Sequence, residues 1–131
     1  MAPTLQRNDL IYPELCYQIN GALLEVWNKV GSGHKEKFYQ KAAAEEFKRR
    51  GLNVESEFPT KIEYKGKLLG TYFFDFLIED KIILEIKVRN YFSKNDIQQL
   101  FAYLKAKNLK LGILAHFTRE GVKSKRIVNA V

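Results

Sequence analysis

The chain has 131 residues, 46% hydrophobic and 28% charged, with a net charge of +7; this balance suits one compact core and argues against intrinsic disorder. Apolar runs such as Tyr72-Phe73-Phe74 fall far short of the ~20 residues of a membrane span, and residues 1–6 lack a basic-then-apolar leader, so no membrane and a cytoplasmic location are expected. With Cys16 as the one cysteine, an intramolecular disulfide and a thiolate metal cluster are excluded, which leaves oxygen or imidazole donors for any metal.

From Asp9 onward, Leu15, Ile19, Ala22, Leu23, Val26, Trp27 and Val30 recur at helical spacing and predict an amphipathic helix, ended by Gly31 and Gly33. Ser32 is placed to cap a second helix over residues 35–50, with Phe38, Ala42, Ala43 and Phe47 on its inner stripe and Gly51 as its stop. The period then changes. Residues 53–58 and 61–64 alternate loosely, Lys65-Gly66 supplies a turn, and residues 67–78 and 81–88 are rich in Ile, Leu, Phe and Tyr, which predicts strands. Ser93, with Asp96 three positions later, opens a helix whose apolar stripe is Ile97, Leu100, Phe101 and Leu104. Residues 109–117 read as one more buried strand and 123–128 as a short terminal strand or helix. The expectation is an α/β fold: a single domain over residues 1–131, with a mixed central sheet flanked by helices in the order ααβββαβ.

The charge is uneven. Residues 1–65 hold ten Lys/Arg against nine Asp/Glu, whereas residues 66–131 hold twelve against six. Lys105, Lys107, Lys110, Arg119, Lys123, Lys125 and Arg126 follow one another with Glu120 alone opposing them. Such a density attracts a polyanion such as DNA or RNA, although lysine-rich surfaces also serve solubility alone.

On the strand predicted over residues 81–88, Ile82, Leu84, Ile86 and Val88 share one face and Ile83, Glu85 and Lys87 the other. Burying Glu85 and Lys87 without partners would cost several kcal/mol per charge. A three-residue loop of Glu79, Asp80 and Lys81 would pair Ile78 with Ile82 and set Asp75 opposite Glu85; a two-residue loop would set it opposite Leu84. Two carboxylates facing across a ladder repel unless a divalent cation lies between them. Oxygen donors with open water positions suit Mg²⁺, which would make the pair a hydrolase site for a phosphodiester, with Lys87 as a fixed cation beside it. The plainer reading is a structural Lys87–Asp75 ion pair.

Asp75 followed after nine residues by Glu85-Ile86-Lys87 resembles the signature of the PD-(D/E)XK nuclease superfamily. Gly33-x-x-Glu36-x-x-Tyr39 after the first helix, and Gln99-x-x-x-Tyr103 after the Glu-x-Lys strand, make the chain similar to the small GxxExxxY proteins, a predicted branch of that superfamily. The resemblance runs from about Leu10 to Val128. It implies a restriction-endonuclease-like core, Asp75 and Glu85 as metal ligands, Lys87 as the catalytic lysine and Glu36 as a further acidic residue. Glu36 is also well placed merely to stabilise a helix N-terminus. Gln99 and Tyr103 share a helix face, so Gln99 is read as a positioning group for a phosphate or the lysine; Tyr103 is a nucleic-acid contact or half-buried packing. The chain departs from the family between Gly33 and Glu36, where His34 and Lys35 replace apolar residues. His116 reads as packing at a strand end and His34 as solvated.

These residues lead to an expected Mg²⁺- or Mn²⁺-dependent nuclease acting on DNA, or else RNA, with a homodimer as one expected state. Two rivals stand beside it: an inactive nucleic-acid-binding module, and a protein-interaction subunit whose polar cluster is a buried ion pair.

Overall fold

The computed structural model describes residues 11–130; Asp9 and Leu10, expected in the first helix, lie outside them. The first helix, α1, spans Pro13–Val30, with Pro13 in its first turn, and α2 spans Glu36–Arg49. A strand β1 (Val54–Tyr64) and a strand β2 (Lys67–Ile78) form a long hairpin, and β3 (Ile82–Lys87) follows. Helix α3 (Lys94–Lys107) crosses back, and β4 (Leu111–Thr118) and β5 (Gly121–Val128) complete the sheet.

The five strands lie in sequence order; β3 and β4 are parallel and the other neighbours antiparallel. The expected mixed sheet flanked by helices is therefore present, with the terminal segment resolved as a full edge strand, β5. On one face α1 and α2 cover Phe76, Ile78, Ile82, Leu84, Ile86, Ile113 and Phe117. On the other, α3 covers Phe74, Leu77, Ile83 and Leu114. Gly112 of β4 lies beneath α3, where a Cβ would come within 2.9 Å of Leu100.

Several boundaries differ from the sequence expectation for identifiable reasons. Lys35, not Ser32, is the N-cap of α2, and it makes no side-chain cap bond. The Tyr39 hydroxyl donates to the Gly31 carbonyl (2.7 Å) and accepts the His34 N–H (3.2 Å), which holds the preceding residues in a loop and delays the helix. The buried stripe of α2 is Tyr39, Ala43 and Phe47, at four-residue spacing, while Phe38 is 53% exposed. Residues 53–58 and 61–64 belong to one strand through Pro59, tolerated because β1 is an edge. Ser93 caps α3 as expected, its Oγ accepting the Asp96 N–H at 3.2 Å. Among the described residues no helix is long and apolar enough to cross a membrane.

Candidate active site

The β2–β3 loop is the three-residue one: Ile78 pairs with Ile82, Leu77 with Ile83 and Phe76 with Leu84, and the pairing stops there. Asp75 and Glu85 come next, where the ladder opens. Side chains take over from the backbone at that point. The Asp75 N–H donates to Glu85 Oε2 at 2.7 Å, and the Ile86 N–H donates to Asp75 Oδ2 at 2.7 Å. Each carboxylate thereby satisfies an amide that the lost ladder would have orphaned.

Asp75 also marks a slip in side-chain alternation. Phe74 packs on the α3 side and Phe76 on the α1/α2 side, although a period of two would put them on one face. Its neighbour on β1, Glu57, has φ of 52° and lies between paired Ser56↔Phe76 and Phe58↔Phe74. Positive φ is costly for a residue with a Cβ and marks a locally enforced backbone. The slip aims Asp75 into a cleft beneath α2, lined by Lys37, Gln40, Lys41 and Glu57. Glu85 instead lines a small cavity under α3 with Tyr72, Lys87, Asp96, Gln99 and Tyr103. The two carboxylates open on different sides of the sheet and meet through the gap between β2 and β3.

Glu36 and Gln40, one turn apart on α2, extend the Asp75 side. Gln40 Nε2 donates to Asp75 Oδ1 at 3.1 Å and more weakly to Glu36 Oε2 at 3.4 Å. Gln40 is absent from the sequence reading, yet its i+4 spacing from Glu36 was a usable signal. Tyr72, also missed, donates its hydroxyl to Glu85 Oε1 at 3.2 Å; the slip at Asp75 hid the fact that the two share a face. Tyr103 is 9% exposed and stacks on Tyr72 with ring centroids 4.3 Å apart, so its ring is packing, and it lines the cavity under α3 together with Gln99.

Burial, then the nearby Asp75 carboxylate, pushes the Glu85 pKa up to about 7. Asp75 is raised too, by burial first and then by Glu36, against the lowering pull of the Ile86 amide and Lys87. Burial and Glu85 raise the Tyr72 pKa and keep it a donor. Lys87 takes no part in the side-chain ion pairs among the described residues, Arg49–Glu45, Arg50–Glu46 and Arg89–Asp96. The expected alternative of a Lys87–Asp75 ion pair is therefore not what the structure holds. Lys87 stands half-buried beside His116, its partner in the parallel ladder. His116 is fully buried against Phe92, with ring centroids 4.1 Å apart.

Whether this set fits a divalent cation turns on its oxygens. Each of the four carboxylate oxygens accepts one protein hydrogen bond and keeps a second lone pair. Mg²⁺ is commonly held by one or two carboxylates, with water and substrate phosphate completing its shell, so both side chains carry suitable donors; because they open on different faces of the sheet, a shared ion would have to lie in the gap between β2 and β3. A cation would also offset the repulsion from Asp75 that, after burial, raises the Glu85 pKa. Among the described residues there is no group of three or more His, Cys, Asp or Glu placed to hold a metal.

The basic residues divide in space. Lys105 and Lys107 end α3, and Lys110 precedes β4, at the opposite end of the β3–β4 pair from Lys87. Arg119 is on the β4–β5 turn, and Lys123 and Lys125 pair with His116 and Leu114. Arg126 turns to the other face, donating to the Ile11 carbonyl at 2.7 Å. His34 is exposed, as expected, with Nε2 at 2.8 Å from the Val30 carbonyl.

Comparison with known proteins places this geometry. The family profile described as "PD-(D/E)XK nuclease superfamily" matches residues 13–127. No curated protein matches the sequence. Among solved structures, an alkaline exonuclease (LHK-Exo) from Laribacter hongkongensis is similar over 88% of this chain and 69% of its own, at 12% identity and a TM-score of 0.53. The crystal structure of SSO0001 is similar over 95% of this chain and 80% of its own, at 16% identity and a TM-score of 0.50. At these identities the likeness concerns the fold.

Proposed function

The chain belongs to the PD-(D/E)XK nuclease superfamily, and from that premise we propose that it is a Mg²⁺- or Mn²⁺-dependent phosphodiester hydrolase acting on DNA. The observation that carries the proposal is the opened ladder, where Asp75 and Glu85 bond each other's strands and keep lone pairs free beside Lys87, which is in no ion pair among the described residues. A nuclease-like fold implies nucleic-acid binding, and nucleases of this superfamily generally use divalent metals.

In this reading Asp75 and Glu85 hold the cation, which when bound supplies a Lewis acid for the phosphate and a more acidic water. The Lys87 ammonium orients that water and offsets charge developing on the phosphorus oxygens. Gln40, braced by Glu36, fixes the rotamer of Asp75, and Tyr72 does the same for Glu85. Gln99, which lines the Glu85 cavity with Lys87 and Tyr103, supplies a neutral donor for a phosphate oxygen or for Lys87. Lys123, Lys125 and Arg119 add salt-sensitive backbone affinity near the site, with Lys105, Lys107 and Lys110 more remote. Arg126, bonded to Ile11, contributes structure in place of affinity. The narrower placement with the small GxxExxxY proteins rests on Gly33, Glu36, Tyr39, Gln99 and Tyr103. A cytoplasmic enzyme of one domain over residues 1–131, working as a homodimer, completes the proposal.

One observation favours a second reading, an inactive binding module: the cavity beside Glu85 measures only about 10 Å³, room for about one water. Incubating the purified protein with linear, circular and single-stranded DNA and with RNA, in Mg²⁺, Mn²⁺ or chelator, decides between them. Metal-dependent cleavage lost in Glu85→Gln and Lys87→Ala supports the hydrolase; salt-sensitive binding without cleavage in any metal overturns it.

A further inference from the structure

A cavity of about 310 Å³ lies at the C-terminal ends of β3 and β4, on the α1/α2 side, and plays no part in the site above. Three separate connections form its wall, and each brings a group able to donate to an anion. The α1–α2 loop contributes Ser32 and Gly33, the β3–α3 loop Arg89 and Asn90, and the β4–β5 turn Arg119. The N–H groups of Ser32 and Gly33 have no backbone acceptor among the described residues. Arg89 uses one terminal nitrogen on Asp96, at 2.9 Å, and its planar fork keeps further donors. Arg119 is exposed and is in none of the ion pairs among the described residues, Glu120 beside it included.

The wall is held before any ligand arrives. Tyr39 and Phe117 stack at its base with centroids 4.3 Å apart, and the Tyr39 hydroxyl pins the α1–α2 loop through Gly31 and His34. Trp27 Nε1 donates to the Thr118 carbonyl at 2.9 Å, and the Thr118 hydroxyl closes the turn onto Gly121 at 2.9 Å. Two arginines, a side-chain amide and backbone N–H groups that lack a backbone acceptor among the described residues line a preformed concavity, with Arg89 anchored to Asp96 at its edge and Arg119 in no ion pair; such a lining is phosphate-binding chemistry. The aromatic base is buried and offers an apolar wall to a sugar, not a stacking face. Arg89 follows Lys87 by two residues, about 7 Å of extended chain.

We propose that this cavity is a second phosphate site, which holds a neighbouring phosphate of the same strand whose phosphodiester is presented to Lys87. The assignment rests on the hydrolase reading for its purpose, although not for its binding chemistry. A phosphate within a strand and a terminal monophosphate would satisfy the same donors.

The test uses the full chain in chelator, so that binding is read without cleavage. Fluorescent single-stranded and duplex DNA carrying 5′-phosphate, 3′-phosphate or hydroxyl ends is titrated against wild type, Arg119→Ala and, as a control on the far end of α2, Arg49→Ala. Arg119→Ala is expected to weaken binding about tenfold and to flatten the salt slope by about one, with Arg49→Ala changing neither. Equal losses for all ends assign an internal phosphate; a loss confined to one phosphorylated end assigns a terminal one. Inorganic phosphate, followed by NMR, is expected to shift the Ser32, Gly33 and Asn90 amides in wild type and less in Arg119→Ala. Unchanged affinity and slope in Arg119→Ala, with no amide shifts, overturn the cavity even if cleavage is intact. Amide shifts and the Arg119→Ala loss without cleavage in any metal keep the cavity and overturn the hydrolase.

Discussion

Along residues 76–78, β2 is hydrogen-bonded on both sides, to β1 and to β3, and its side chains are buried. Along residues 67–74 it is paired with β1 alone, and Leu68, Leu69 and Phe73 are exposed. Residues 76–78 behave as core, Tyr72 and Phe74 still pack under α3, and residues 67–71 form an exposed arm reaching past the body of the protein. Asp75 stands at the change. Polar chemistry is inexpensive there because the ladder's end frees amides that carboxylates can occupy, whereas the same carboxylates three residues on would sit among Ile78, Ile82 and Ile83 with no such partners. The comparison shows how an α/β sheet makes room for a charged site without opening its core.

The sharpest break of that comparison is in stability. Phe76→Ala is expected to cost about 3–5 kcal/mol, and Phe73→Ala, two residues past the switch, under about 0.5 kcal/mol. Urea unfolding of both variants checks this; equal costs would mean Phe73 packs as tightly as the core. Next in size, Glu85→Gln and Lys87→Ala are each expected to lower metal-dependent cleavage by about 10²- to 10³-fold with the fold retained by circular dichroism.

A third measurement uses pH. Burial and the Asp75 carboxylate push the Glu85 pKa up to about 7, from the 4.5 of an ordinary glutamate. Between those values the native state holds a proton that the unfolded state has released, so native stability in chelator is expected to fall as pH rises from 5 to 8. Glu85→Gln should flatten that slope, and so should saturating Mg²⁺, which competes with the proton. A metal-independent slope that survives Glu85→Gln would assign it to another group. The smallest effect belongs to Gln40→Leu, expected to weaken metal affinity about tenfold by releasing Asp75, read by calorimetric Mn²⁺ titration.

Much of this was legible in residues. Of the two registers the residues allowed, the three-residue loop that pairs Ile78 with Ile82 and brings Asp75 next to Glu85 is the one the structure adopts. Ionisable Glu85 and Lys87 within an otherwise apolar strand advertised themselves. The slip at Glu57 and Asp75 was not legible, because Glu57 adopts φ of 52° with no glycine to announce it, and the constraint comes from the partner strand. Without the slip, Tyr72 could not be placed beside Glu85. Phe38 was assigned inward and Tyr39 to a motif because the loop held by the Tyr39 hydroxyl rotates the start of α2. The basic stretch looked continuous because residues 105–126 are close in sequence, whereas α3 and β4 carry them to opposite ends of the sheet.

Gly112 has one further consequence. Because it presents no carbon toward Leu100, it acts as a shim of zero thickness under α3, and Gln99 is the residue next to Leu100 on that helix. Clearance above Glu85 is therefore gauged in part by a missing methyl on a strand that supplies no ligand, and a relative bearing alanine at this place would have to displace the Leu100 side chain or the helix that carries it.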